Sequence, residues 1–419
     1  MKRTLLLLTC VFFLSGTGKA TENYIADEIL VKFVDVNNAR IKALNTAFGC
    51  KLVCSIPQIN VMRIRIPHTA TVNDMISAYM ARQDVEYAEP NYFVRTLSIT
   101  PDDPYYGIQW YLPKIKADEA WRDNRGSKKV RIAVVDTGID LDHPDLDGQI
   151  VSGYDFINDD NVPDDDEGHG TLIAGIIAAE TNNGEGIAGI NWDTELMPVK
   201  VLNEEGQGTH DTVALGLVYA AINGARVINL SFGGEQSSRT LEDAIDYAYN
   251  QGCILVAGTG NDGGAIMYPA RLPHCIAVGA TDELDNLCDE QIWGNGLSSN
   301  YGSEIDVVAP GNNIISTYPG GIFATASGTS MSTACVSGTA AMILSANLNL
   351  SNSGVREIIR ESCDNLMDAG WDEYTGYGRI NLQEAMKGLQ PPFVGLPRLH
   401  FFKYWNPRWW YSAPVTEEE

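Results

Sequence analysis

Three short stretches put an acid, a base and a hydroxyl at places where chain elements should begin or end. Val134-Val135-Asp136-Thr137-Gly138 closes an apolar run on a carboxylate, with Asp140, His143, Pro144 and Asp145 following. Gly168-His169-Gly170-Thr171 sets an imidazole where a helix should start. Ser327-Gly328-Thr329-Ser330-Met331-Ser332 sets a hydroxyl at the head of a long apolar segment. Singly, each has a plainer reading: Asp136 as a helix cap or metal ligand, His169 as a hydrogen-bonded surface residue, Ser330 as an N-cap. Jointly they supply what a hydroxyl nucleophile needs. Serine alone is a weak nucleophile and an imidazole must take its proton. A carboxylate then fixes the imidazole tautomer and stabilises its cation. A helix start at Ser330 adds main-chain N–H groups and the positive dipole end.

Such groups work only if a rigid frame holds them. From Val130 onward, short β-branched runs (131–135, 197–201, 227–230, 254–257, 276–278) alternate with helix-like stretches over 170–179, 209–223, 240–251 and 331–347. Short, fully apolar strands between helices predict an α/β fold, a mostly parallel central sheet with helices on both faces. In such sheets functional groups gather at the carboxyl ends of the strands. Residues 23–97 read differently, as a small α+β unit of ferredoxin-like order: strand, helix, strand, strand, helix, strand. Its runs are Ile29–Phe33, Ala39–Phe48, Val61–Ile66, Val72–Arg82 and Val85–Tyr87, and Pro101–Pro104 is a turn-rich junction.

The chain of 419 residues is 44% apolar and 20% charged, enough for a sizeable core and too much for wholesale disorder. Its net charge of −25 argues against nucleic acid as a partner. The charge is uneven: residues 1–20 hold three basic groups and no acid, 21–100 hold eight of each, and 101–419 hold 18 basic against 46 acidic. Residues 1–20 read as a secretory signal, with Lys2 and Arg3, an apolar run from Leu5 to Leu14, and Gly18-Lys19-Ala20 at the cut. That run is too short to span a bilayer, and no transmembrane segment is expected elsewhere. A lipoprotein reading at Cys10 fails on its surroundings. Beyond Gln390-Pro391-Pro392, aromatic residues crowd from Phe393 to Tyr411. This end is either a surface-attachment tail or, more plainly, a packed strap or disordered end.

Asp136-Thr137-Gly138, Gly168-His169-Gly170-Thr171 and Gly328-Thr329-Ser330-Met331 resemble the three signatures of the subtilisin-like serine proteases (the subtilases, peptidase family S8), in that family's chain order. The resemblance runs from about Asp102 to Leu389, and residues 23–97, above all Val85–Tyr92, resemble the family's inhibitory propeptide. It implies a signal peptide (1–20), a propeptide (21–100), a catalytic domain (101–387) and a C-terminal tail (388–419). It implies a secreted endopeptidase made as an autoinhibited zymogen, acting on proteins or peptides through Asp136, His169 and Ser330. By the same resemblance Asn261 is the oxyanion donor, within Ala257-Gly258-Thr259-Gly260-Asn261. Ser231-Phe232-Gly233 resembles the edge that pairs with substrate as an added strand. Met267 would floor the pocket for the residue before the cut, favouring a medium-sized apolar side chain, and Tyr268-Pro269 matches a cis position. Two departures stand out: Ser332, Thr333 and Ala334 replace the usual Ala, any residue, Pro after Met331, and Leu172 replaces a polar residue.

The cofactor implied is calcium, with no organic group. By the same resemblance the first site would take Asp103, Asp145 and Asn183 with backbone carbonyls of the loop 180–187, which includes Glu180, Glu185 and Ile187. The acidic run with Asp155 and Asp160 either holds a second ion or is a solvated loop; its spacing does not fit an EF-hand. A rival to the Asn261 reading is the literal G-x-G-x-x-G of Gly258–Gly263, a dinucleotide fingerprint, but Gly264 and Pro269 deny it the helix it requires. Five cysteines lie beyond residue 100 (Cys253, Cys275, Cys288, Cys335, Cys363), an odd number, so at least one stays free or pairs between chains. The competing reading of the whole chain is a scaffold of this family that binds peptides without cutting them.

Overall fold

The computed structural model describes residues 24–34, 38–92, 99–367, 370–387 and 389. The expected signal, aromatic tail and most of the junction before Asp102 lie outside those residues. The chain divides into two compact units, Met1–Leu97 and Ser98–Glu419.

The first unit runs β1 (Tyr24–Phe33), α1 (Asn38–Ala47), β2 (Lys51–Ile56), β3 (Val61–Arg65), α2 (Val72–Met80) and β4 (Val85–Tyr92). Its sheet is antiparallel in the order β2-β3-β1-β4. Alternation on β1 sends Ile29, Val31 and Phe33 into a core with Ile64 and Tyr79. Glu28, on the opposite face, is buried beside Arg63, Arg65 and Asn91. The Arg63 hydrogen bond leads in holding its carboxyl down at about 2. Strand β2 has no run among the expected elements, since every one of its residues is exposed.

The second unit opens with two short helices, α3 (Tyr111–Lys114) and α4 (Ala117–Ala120), then β5 (Gly126–Asp136), β6 (Tyr154–Asp155) and α5 (His169–Ala178). There follow β7 (Asp193–Lys200), α6 (His210–Ile222), β8 (Val227–Leu230), α7 (Arg239–Asn250), β9 (Ile254–Gly258) and β10 (Cys275–Thr281). The remainder is α8 (Glu290–Trp293), β11 (Val307–Pro310), the hairpin β12 (Ile314–Tyr318) with β13 (Ile322–Ala326), α9 (Thr329–Ala346), α10 (Asn352–Glu361) and α11 (Leu382–Met386).

Seven strands form a parallel sheet in the order β11-β10-β9-β8-β5-β7-β6. Strand β5 shows why it is covered on both faces. Val130, Ile132 and Val134 join one core with residues of α5 and α9, whereas Ala133 and Val135 join the other with α6 and α7. Helix α9 is buried at every residue from Met331 to Leu344. It therefore runs through the core rather than over it. Not anticipated were β6, β11, the β12–β13 hairpin, α10 and the short helices α3, α4, α8 and α11.

Candidate active site

Asp136 is the last residue of β5, fully buried. Its Oδ1 accepts from the Thr137 N–H at 2.8 Å and from His169 Nδ1 at 2.7 Å. A carboxylate only accepts, so the ring proton sits on Nδ1 and Nε2 keeps its lone pair free. Partial burial works against the charged ring, but the charge and hydrogen bond of Asp136, with Glu167 and Asp165 behind them, outweigh it. The His169 pKa therefore lies above the ordinary value.

Two features bring strand and helix this close. Gly170 lies where a β-carbon would run into the Gly138 carbonyl oxygen, and Gly138 itself has φ +112°. Asp165 then ties the turn before α5: its carboxylate takes the Thr137 hydroxyl (2.8 Å), the Gly168 N–H (2.8 Å) and the Thr171 N–H (2.9 Å). On the far side the fully buried Lys200, register partner of Asp136, donates to the Thr137 carbonyl (2.6 Å), Asp166 (2.5 Å) and the Leu202 carbonyl (3.0 Å). Lys200 escaped the sequence reading, and Asp165 entered it only as one carboxylate of the acidic run. A lone cation inside an apolar parallel strand was the available signal for Lys200.

Ser330 is the second residue of α9, behind the N-cap Gly328. That cap has no side chain to offer the first N–H groups, and the third of them, on Met331, turns back to the Gly328 carbonyl at 3.1 Å. Asn261 takes up only the first of them, its Oδ1 accepting from the Thr329 N–H (2.9 Å) and hydroxyl (3.0 Å). Held by its oxygen, the carboxamide has its NH2 edge left over. Ser330 Oγ donates to the Ser231 carbonyl at 2.8 Å; among the described residues no hydrogen bond joins it to His169.

Ser330 and Asn261 line a cavity of about 280 Å3 with Ser231, Phe232 and Gly233 along one side and Gly258 and Gly260 along another. Met267 packs between the glycines: a β-carbon at Gly233 or Gly260 would come within 3.0 Å of it. Thr259, expected at this surface, is buried beneath it, and its main-chain oxygen holds the Met267 N–H at 2.9 Å. Asp262, Leu297 and Thr329 complete the lining and were not foreseen. The Gly233 N–H and carbonyl have no main-chain partner among the described residues, whereas Gly234 pairs both ways with Tyr268. A second cavity of about 360 Å3 shares Phe232 and Gly233 and is bounded by Leu202, His210, Val213 and Leu241. The Tyr268–Pro269 bond is cis. No helix follows Gly258–Gly263 before Glu290, which removes the dinucleotide reading.

The sequence profile of the subtilase family matches residues 127–378, spanning all three motif stretches. The chain belongs to the subtilase family. This is a family of serine-type endopeptidases. A second profile, the fervidolysin N-terminal prodomain, matches residues 16–91 of this subtilase. It is 40% identical over 367 residues to the thermophilic serine proteinase of Bacillus sp. (strain AK1), covering 87% of this chain and 88% of the other. To thermitase of Thermoactinomyces vulgaris it is 43% identical over 290 residues, 69% and 99% of the two chains. Among solved structures it resembles fervidolysin from Fervidobacterium pennivorans, a keratinolytic enzyme related to subtilisin, with a TM-score of 0.62 at 28% identity over 89% of this chain. It spans 62% of that chain's length.

The residues expected around calcium fit a hard cation in part. Asp103 and Asp145 are both buried, and neither has a Lys or Arg partner within the described residues. Asp145 accepts from Asn183 Nδ2 (3.0 Å) and the Ile187 N–H (2.9 Å), and Asp103 from the Asn182 N–H (2.8 Å). Burial raises both carboxyls, Asp145 to about 7, where the nearby charges of Asp103 and Glu180 add to the effect. Two desolvated carboxylates without a Lys or Arg partner among the described residues are donors whose charge a calcium ion would neutralise. The Glu180 carboxylate takes the Gly148 N–H and that of Glu185 is exposed, while the part expected of this loop is its carbonyls. Among the described residues no group of three His, Cys, Asp or Glu side chains converges to hold a metal. The second site finds no support: Asp155 is spent on the Ile157 and Asn158 N–H groups and Asp160 on that of Val162. All five cysteines beyond residue 100 are free thiols; Cys335 is a fully buried packing residue.

Proposed function

We propose that this subtilase cuts peptide bonds through Ser330, His169 and Asp136. The observation that carries the reading is the 2.7 Å bond from His169 Nδ1 to a buried carboxylate, which leaves Nε2 free to act as a base. Ser330 Oγ leaves the Ser231 carbonyl and attacks the peptide carbonyl as its proton passes to His169 Nε2. The tetrahedral oxyanion lies against the Asn261 NH2 and the Ser330 N–H. Collapse of this intermediate breaks the C–N bond, and His169 returns the proton to the departing amine. Water then hydrolyses the Ser330 ester by the same proton path, restoring the hydroxyl.

Substrate main chain would pair with the open N–H and carbonyl of Gly233. The residue before the cut would enter the cavity floored by Met267, where a medium-sized apolar side chain fits best. The second cavity, sharing Phe232 and Gly233, would take another side chain of the same extended segment. Residues 21–100 would act as intramolecular inhibitor until cut between Tyr92 and Asp102. The first twenty residues would direct export, and calcium would bind at Asp103 and Asp145. Hydrolysis of a peptide anilide series by the matured enzyme tests this, alongside Asn261→Leu. The variant should lose about 10²–10³-fold in kcat, the loss known for such a donor in subtilisin, with little change in KM. A wild-type rate equal to that of Asn261→Leu contradicts the assignment.

A further inference from the structure

Behind Ser330 lies a run of hydrogen bonds that leads away from the cavity and into the core. Ser337, two turns further along α9, donates its hydroxyl to Asn229 Oδ1 at 2.9 Å. Asn229, on β8, donates Nδ2 to Ser231 Oγ at 2.8 Å. Ser231 Oγ donates to the Ser330 carbonyl at 3.1 Å, and Ser330 Oγ donates back to the Ser231 carbonyl at 2.8 Å. Ser337 and Asn229 are wholly inaccessible and Ser231 is 5% exposed. Neither Ser337 nor Asn229 lines the cavity.

The direction of each bond follows from the one before it. The Ser337 hydroxyl has only one hydrogen to give, and giving it to Oδ1 fixes which way the Asn229 carboxamide faces. Its NH2 must then point at Ser231 Oγ, which accepts there. The single Ser231 hydroxyl hydrogen is left for the Ser330 carbonyl. In the low-dielectric interior each bond polarises the next, and no water competes for the donors. We infer that Asn229 and Ser337 are positioning residues of this protease: through Ser231 they hold the main chain of Ser330, and with it the nucleophile, in register with the sheet. Neither touches substrate. The inference rests on the endopeptidase reading above.

Four forms of the full precursor test it after maturation: wild type, Ser337→Ala, Ser231→Ala and the double variant. Each is followed by kcat and KM on one peptide and by the rate of labelling with a fluorophosphonate. Ser337→Ala should lower kcat and the labelling rate about five-fold, with KM unchanged and the thermal midpoint within about 2 °C. Because the path runs through Ser231, Ser337→Ala should cost nothing further once Ser231→Ala is made. Losses that multiply in the double variant, or a Ser337→Ala enzyme as fast as wild type, overturn the inference and leave the endopeptidase standing. A wild-type chain that neither labels nor cuts overturns the endopeptidase reading and the inference with it.

Discussion

On the proposed mechanism His169 is the residue on which the chemistry turns, and its neighbours set when it can act. As a base it must be neutral, so kcat/KM should rise with pH through its pKa, which the Asp136 carboxylate holds above the ordinary 6.5. The same upward shift means that protonated His169 favours the folded state below about pH 6.5. That contribution is lost as pH rises through the folded value. Asp136→Asn keeps the shape and removes the charge. The acid limb of kcat/KM should move to lower pH and kcat should fall about 10⁴-fold, because the amide no longer holds Nδ1–H against it. A limb that stays in place in the pH profile would mean that Asp136 does not set the His169 pKa. The bond from Ser330 to the Ser231 carbonyl adds a point on the same scale: on the proposed mechanism the hydroxyl rotates off that carbonyl before its proton passes to Nε2.

At the scale of elements, the site exists because the tip of β5 meets the start of α5. Gly170 is the point of contact, and Gly170→Ala should force the two apart. The expected cost is about 2–3 kcal/mol of stability, read as a lowered midpoint in denaturant, together with a greater loss in kcat than in KM. Unchanged stability would show that the helix can retreat without penalty. Much of this frame was legible in the sequence. Val227–Leu230 reads as a strand from its short, mostly apolar run with β-branched Val227 and Ile228 and is one, and 331–347 reads as the long apolar helix that became α9. The motifs located Asp136, His169 and Ser330 at element ends without any coordinates. What escaped was decided by tertiary packing. The exposed strand β2 shows no alternation to read, and the hairpin Ile314–Ala326 is held by Ser316 and Thr317 hydroxyls on α5 carbonyls, a link that local pattern does not carry. Asp155 and Asp160 looked like metal ligands because spacing shows carboxylates but not the N–H groups that occupy them.

For the whole molecule, the acid excess beyond residue 100 sets two demands. Most of its carboxylates must stay in water, and buried ones such as Asp103 and Asp145 need a counter-charge. Calcium at that pair should stabilise the fold by mass action, by about 2.7 kcal/mol at a hundredfold excess over its dissociation constant. In a unit of this size that is a rise of about 5 °C in Tm, reversed by a chelator. Scanning calorimetry with and without EGTA checks it, and a Tm indifferent to calcium removes the ion from the account. The described residues contain no helix long and apolar enough to cross a membrane. The central claim, that Ser330 is the nucleophile activated by His169, meets its most direct measurement in covalent labelling of the matured chain. A fluorophosphonate followed by peptide mass spectrometry should place one adduct per molecule on Ser330, absent in Ser330→Ala and strongly slowed in His169→Ala. A folded wild-type protein that takes no adduct, or takes it on a different serine, would contradict the account.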